Sequence, residues 1–418
     1  MTRFSGKSAK AILACSLLLL AAAPLGALDT VDLNNAGVEA YNRGEFEKAI
    51  TYFEKAFAAE PNNGVLCRNY CNALQSLADG HAKNGNYKVA VRQLDTAISV
   101  DPKNVSPLIQ QGSYYLRMDD VNSAIKRLEQ AIVLKPGQLD AHELLGQAYY
   151  RDNDLSSARA QWDYVLEMEP NRPGLRDRYD KAFREESVEY DFNRYKSRHF
   201  LVSYPPDIPS DMRVLVTNIL DKAYVDIGRT LGGVFPPPPI HVILYNAEQF
   251  AQATKLADHV GAVYDGKIRS PLTDKKGEWL SRDELARRLT HEYVHVVVRN
   301  ITGDNVPWWV NEGLAETLSG VITAQDSERL REYLRTGNTL NLRSLTMEKV
   351  SAMKSDGVSL AYLKAHAAIS LLWDRYGKGK MVMFLQALAG GKDCEEALRN
   401  VFRRTFSTLE REVENTYL

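Results

Sequence analysis

The prolines in the first part of the chain keep step. "EPNN", "DPKN", "KPGQ" and "EPNR" set Pro61, Pro102, Pro136 and Pro170 at intervals of 41, 34 and 34 residues. Twelve residues before each stands Ala49, Ala90, Ala124 or Ala158, and eight before it Phe53, Leu94, Leu128 or Trp162. Five before it is Ala56, Ala97, Ala131 or Val165, and Gly37, Gly112 and Gly146 fall 24 before theirs. Such a period constrains the fold more than any single motif. A unit of this size cannot bury its apolar face alone and must stack on copies of itself. Small residues let paired helices approach, large ones fill the groove, and proline ends the second helix. The first interval carries an insertion of seven residues near "QSLADGH".

The pattern resembles the tetratricopeptide repeat, with about four units over residues 30–172. The resemblance implies an α-helical solenoid whose concave face binds a peptide segment or another protein and carries no chemistry. The charged stretch from Gly174 to Tyr190 is expected to cap the array, making 173–198 a capping helix and linker.

From His199 the texture changes. "HFLVSY" reads as a strand, "SDMRVLVTNILDKAYVDIGRTLGG" as a helix stopped by glycines, and Ile240 to Tyr245 as a strand entered from a stiff run of prolines. "VGAVYDGKIRSPL" reads as a hairpin turning at Asp265-Gly266, and from Arg282 the chain is mostly helical. Strands first and helices after indicate an α+β domain over 199–418. Each module is expected to have its own core, so that deleting residues 30–185 would leave a folded domain.

With 418 residues, 44 % apolar and 25 % charged, the chain suits two or three soluble domains. A net charge of −1 gives no electrostatic ground for nucleic acid or an anionic membrane surface as a partner. Arg3, Lys7 and Lys10 precede an uncharged run from Ala11 to Leu28, the layout of a secretory signal over residues 1–28. Cleavage is expected near Ala23 to Ala27; an uncleaved anchor, the one membrane contact foreseen, is the alternative. Either way the rest of the chain is expected to be exported, to a periplasmic or extracellular space. Cys67, Cys71 and Cys394 make no disulfide framework.

The chemistry lies in "LTHEYVHVVVRN". His291 and His295, four residues apart on a helix, present two imidazoles to one point. Glu292 falls beside that point, where a base acting on a metal-bound water is wanted. "LSRDEL" reads as the helix start, with Ser281 as N-cap, Glu284 as its reciprocal partner, and Leu280 and Leu285 as a hydrophobic staple. The bland alternative is an amphipathic helix with two core histidines. Two ligands do not complete a catalytic site. "VPWWVNEGLAETLSG" follows, with sixteen residues between His295 and Glu312. Pro307 suits the first position of a second helix. On its inner face Glu312 would ligate, and Glu316 would take the free N–H of a ligating histidine.

"HEYVH" followed by "WWVNEGLAE" resembles the gluzincin metallopeptidases, most of all the bacterial peptidase-MA-like domains that often accompany tetratricopeptide repeats. The resemblance runs from about His199 to the C-terminus and includes "YDGKI" and "LAYLKAHAAISLLWDRYG". It implies one zinc per chain on His291, His295 and Glu312, with Glu292 as general base. It also favours Tyr362 as the donor that meets the oxyanion, with His366, one turn on, as the alternative. Two features depart from the family. Lys364 and Ala365 stand where members often have Gln and Ser, and the spacing from His295 to Glu312 is slightly shorter than in the aminopeptidase branch. No acidic motif for gripping a substrate amine stands out, which favours an endopeptidase. The expected function is therefore an exported zinc peptidase whose repeats recruit a substrate or partner protein. Its rivals are a zinc-binding pseudoenzyme and a repeat-based scaffold of the cell envelope.

Overall fold

The computed structural model describes residues 29–256, 261–303, 305–337 and 340–418, and the signal or anchor expected at 1–28 lies outside them. Eight helices pair off in chain order: α1 (Thr30–Asn42) with α2 (Phe46–Ala59), α3 (Gly64–Lys83) with α4 (Tyr87–Val100), α5 (Ser106–Arg117) with α6 (Val121–Leu134), and α7 (Leu139–Arg151) with α8 (Leu155–Met168). The periodic residues explain the pairing. A Cβ on Gly37 would overlap the Phe53 ring, on Gly112 the Leu128 side chain, and on Gly146 the Trp162 indole. Each glycine is the gap that its own repeat's large residue fills. Every second helix ends alike. The N–H of Glu60, Asp101, Lys135 and Glu169 bonds the carbonyl five residues before its own repeat's proline, at Ala56, Ala97, Ala131 and Val165. The proline then offers no N–H, and the residue before it is turned out of helical geometry. The insertion is absorbed inside α3, which has 20 residues against 13, 12 and 13 in α1, α5 and α7.

The described residues divide into two compact units between Ala73 and Leu74. In the second, α9 (Leu175–Glu189) packs Leu175 and Ala182 on Trp162 and Val165 and closes the array. A five-stranded mixed sheet follows: β1 (Asn193–Lys196), β2 (Phe200–Tyr204), β3 (Ile240–Tyr245), β4 (Val263–Tyr264) and β5 (Ile268–Pro271), in the order β1-β2-β3-β5-β4. β2, β3 and β5 run parallel, and β1 and β4 are antiparallel edges. The parallel pair β2–β3 is joined through α10 (Ser210–Thr230), and α11 (Ala247–Thr254) leads from β3 toward β4. Helices then dominate: α12 (Arg282–Thr302), α13 (Trp308–Ser319), α14 (Ala324–Arg335), α15 (Met347–Ser351), α16 (Ser355–Ala389, broken at Gly377), α17 (Cys394–Phe402) and α18 (Phe406–Tyr417). Phe200, Val242 and Ile268 of the sheet, Val216 and Leu220 of α10, and Leu289, Tyr293 and Val297 of α12 share one core. A long apolar α12 is thereby held between sheet and helices. Among the described residues no helix is long and apolar enough to cross a membrane.

Two expectations change. The sheet starts at Asn193, ahead of His199. The segment 173–198 is more than a cap and linker: Glu185 and Glu189 of α9 are buried against Arg269 of β5, at 2.7 and 2.8 Å. A cut at residue 185 would take Glu185 from a fully buried guanidinium and Asn153 from the buried Lys267, so the second module does not carry its whole core within 199–418.

Candidate metal centre

Ser281 caps α12 by accepting the Glu284 N–H at 3.2 Å. Glu284 turns its carboxylate to Arg288, at 2.6 Å, and to Arg287, where a reciprocal capping bond was expected. Asp283 and Glu284 in the first turn and Arg299 in the last suit the helix dipole. Burial of Val296, Val297 and Val298 offsets the poor helix propensity of this run.

His291 and His295 lie one turn apart with ring centroids 4.9 Å apart. α13 crosses them. Pro307 stands at its N-cap, one position earlier than expected, and the helix begins at Trp308. Nε2 of His291 and Nε2 of His295 each lie 3.5 Å from Oε2 of Glu312. These three donor atoms lie within 4.8 Å of one another. Oε1 of Glu316 stands 3.5 Å from Nδ1 of His291 without the alignment of a hydrogen bond.

The charges answer one another. Burial works against ionisation throughout, yet Glu312 raises the His295 imidazole to about 9, and His295 with His291 holds the Glu312 carboxyl down at about 2. Glu292 is 5 % exposed, and burial raises its carboxyl above the usual range, opposed by His291 and His295. Two imidazoles and a carboxylate are the donor set of a catalytic zinc site with one position left open. Tetrahedral ligands at ~2.0–2.1 Å from zinc stand about 3.3 Å apart, close to the 3.5 Å from each imidazole to Glu312. The residues fit the metal.

Tyr362 of α16 sets its ring edge-on to Trp308, with centroids 5.0 Å apart. Burial, then Glu312, Glu292 and Glu316, push its phenol well above the ordinary range, so it keeps its proton. A cleft of about 1020 Å³ is lined by Thr290, Glu316, Tyr362 and His366, with Ile219 and Ala223 of α10 on its wall. Burial lowers the His366 imidazole, against the pull of Glu316. The departures at 364 and 365 have a physical account. Lys364 is buried facing away, donating to Leu340 O, with Glu410 3.9 Å off. Ala365 presents its carbonyl to Gly313: a Cβ on Gly313 would lie 2.5 Å from that oxygen. The sequence reading passed over Gly313, although a glycine beside Glu312 in an apolar helix was the available signal for this close crossing. It also passed over Arg288, which donates to Gly261 O at 2.9 Å and ties the chain before β4 to α12.

Comparison with family models matches residues 228–417 to the Peptidase MA superfamily, and residues 32–63 and 109–174 to the tetratricopeptide repeat. The curated proteins give no match. Among solved structures, the first tetratricopeptide domain of Spaghetti (RPAP3) bound to an HSP90 peptide is 23 % identical. It covers 27 % of this chain and 90 % of its own, with a TM-score of 0.27. MamA from Desulfovibrio magneticus RS-1 is 22 % identical, covering 35 % of this chain and 78 % of its own at a TM-score of 0.27. The chain thus carries tetratricopeptide repeats, a module that typically binds protein partners, followed by a segment similar to the Peptidase MA superfamily.

Proposed function

We propose that this chain is an exported zinc-dependent endopeptidase whose repeats recruit a substrate or partner protein. The observation that carries the reading is the convergence of His291 and His295 on one oxygen of Glu312, with Glu292 buried beside them.

His291, His295 and Glu312 would hold one zinc, and Glu316, 3.5 Å from Nδ1 of His291, would orient that imidazole. When bound, zinc supplies Lewis-acid polarisation of a carbonyl and acidifies water in the site. Glu292 takes the proton of the attacking water and returns it to the leaving amine. Its raised carboxyl suits that task, because a base that must also release its proton works best with a pKa nearer neutrality. Tyr362 keeps its phenolic proton and donates to the carbonyl oxygen as negative charge grows there. Trp308 holds the tyrosine ring edge-on, and the cleft beside Tyr362 and His366 receives the chain to be cut. The missing acidic grip for a free amine favours internal cleavage. The basic and apolar layout of residues 1–28 supports export.

The test uses the full chain on a quenched-fluorescent peptide library. Cleavage should vanish on chelation and return with stoichiometric zinc. A zinc-loaded chain that cleaves no peptide would point to the pseudoenzyme instead, and a chain that binds no zinc would remove the metal site altogether.

A further inference from the structure

The hairpin β4–β5 is gripped from two sides. On one side is α12. Arg288, one turn before His291, holds Gly261 O at 2.9 Å. Arg299, one turn after His295, stacks its guanidinium over Tyr264 at 6.0 Å and lies 3.7 Å from where a Cβ on Gly266 would stand. The two anchors bracket the histidines on α12, and β4 packs against the stretch of α12 between them.

On the other side is the repeat array. Lys267, 1 % exposed, donates to Asn153 Oδ1 at 2.7 Å and lies 4.0 Å over the Tyr150 ring. Arg269, with no exposure, binds Glu185 at 2.7 Å and Glu189 at 2.8 Å. Lys181 of α9 reaches Asp265 in the hairpin turn at 2.6 Å. Lys267 and Arg269 balance Glu185 and Glu189 out of water, and Lys181 with Asp265 closes the cluster at its partly exposed rim. Buried ion pairs add little net stability over apolar packing, but they tolerate few alternative geometries and are costly to break on one side. A joint needing adhesion alone would be made of leucines; this one specifies a position.

We propose that the repeat array braces the metal-site helix: Lys267 and Arg269 are positioning residues through which α7, the turn after it and α9 hold the hairpin against α12. The repeats then act on the site itself, besides any recruitment. The kinetic part of this inference rests on the peptidase reading; the structural part does not.

Glu185→Gln strips Arg269 of a buried partner and risks unfolding the chain, so a milder pair carries the test. Lys181→Ala removes the tie to Asp265. Asn153→Gly removes the acceptor for Lys267 and suits the left-handed backbone there, φ 57°. In the full-length double variant, amide exchange across 261–271 should rise about tenfold or more, the signature of a freed local unit. Exchange in α10 and zinc content should stay as in wild type. KM for a short peptide should rise several-fold more than kcat falls. Arg172→Ala, which breaks ion pairs to Asp140, Glu143 and Glu169 inside the repeats, is the control and should leave hairpin exchange unchanged. Unchanged exchange in the double variant, or the same rise in Arg172→Ala, overturns the proposal. Raised exchange in a chain whose wild type cleaves nothing would uphold the brace and overturn the peptidase reading.

Discussion

Gly313 lies against the carbonyl of Ala365 so closely that a Cβ would stand 2.5 Å from the oxygen. Neither helix backbone can yield cheaply, because α13 and α16 share one buried core with α12. The contact sets how deep Glu312, the residue before it, reaches toward the histidines. Gly313→Ala should therefore cost about 1–3 kcal/mol of stability, the usual range for overpacking. It should also weaken zinc binding by at least tenfold, although no ligand is altered. Unchanged zinc affinity in a destabilised Gly313→Ala chain would show that the crossing does not set the ligand's position.

Metal analysis of single variants tests the ligand set directly. Wild type should carry about one zinc per chain, since three donors with one open position make one mononuclear site. His291→Ala, His295→Ala and Glu312→Ala should each lose most of it. Glu292→Gln should keep it, and should lower turnover by roughly two to four orders of magnitude, the worth of a positioned general base. Full occupancy in Glu312→Ala would remove that residue from the ligand set.

The repeats were legible because their information is periodic: Ala49, Phe53, Ala56 and Pro61 recur in register, and each position has one packing duty. The spacing of His291 and His295 was legible because a helix turns that spacing into one face. Glu316 and Tyr362 could be named but not placed, since their nearness to His291 and Trp308 depends on how α13 and α16 cross. The fates of Lys267, Arg269 and Glu185 were hidden for a further reason. Charged residues in a sequence read as solvated, and only the meeting of α9 with β5 gives each an opposite charge out of water. Lys364, read as a departure from a family pattern, serves a separate part of the core.

Tyr362 and His366 compete for the role of donor to the oxyanion, and paired variants separate them. Tyr362→Phe keeps the ring on Trp308 and removes only the hydroxyl. Turnover should fall by roughly ten- to a thousandfold, the upper end being the loss of one oxyanion donor. Zinc content and Tm should barely move. His366→Ala should leave kcat within a few-fold of wild type. The reverse pattern, an unaltered Tyr362→Phe and a crippled His366→Ala, would assign the donor to the histidine.

The joint between repeats and sheet should show itself in the pH dependence of unfolding. Burial works against the charge on Asp265, but Arg269, Lys181 and Lys267 hold its carboxyl well below the usual carboxylate range. An unfolded aspartate titrates near ~3.9. Below that pH the unfolded chain binds the proton and the native chain still excludes it. Stability from this group is therefore complete above about pH 4 and drains away as pH falls through the depressed native value. Lys267 acts at the other end. Burial, helped by Arg269, lowers its ammonium from 10.5 to about 8, so the native chain sheds this proton first as pH rises. The cost of burying that charge is fully present below about pH 8 and is relieved between there and the unfolded value. Asp265→Asn should thus flatten the acid limb of a Tm–pH curve and lower Tm at neutral pH. Lys267→Met should remove the rise that this group contributes above about pH 8 and, by taking one cation from Asp265, should shallow the acid limb without abolishing it. Curves that run parallel to wild type from pH 3 to pH 10 would mean that neither charge is held by the joint.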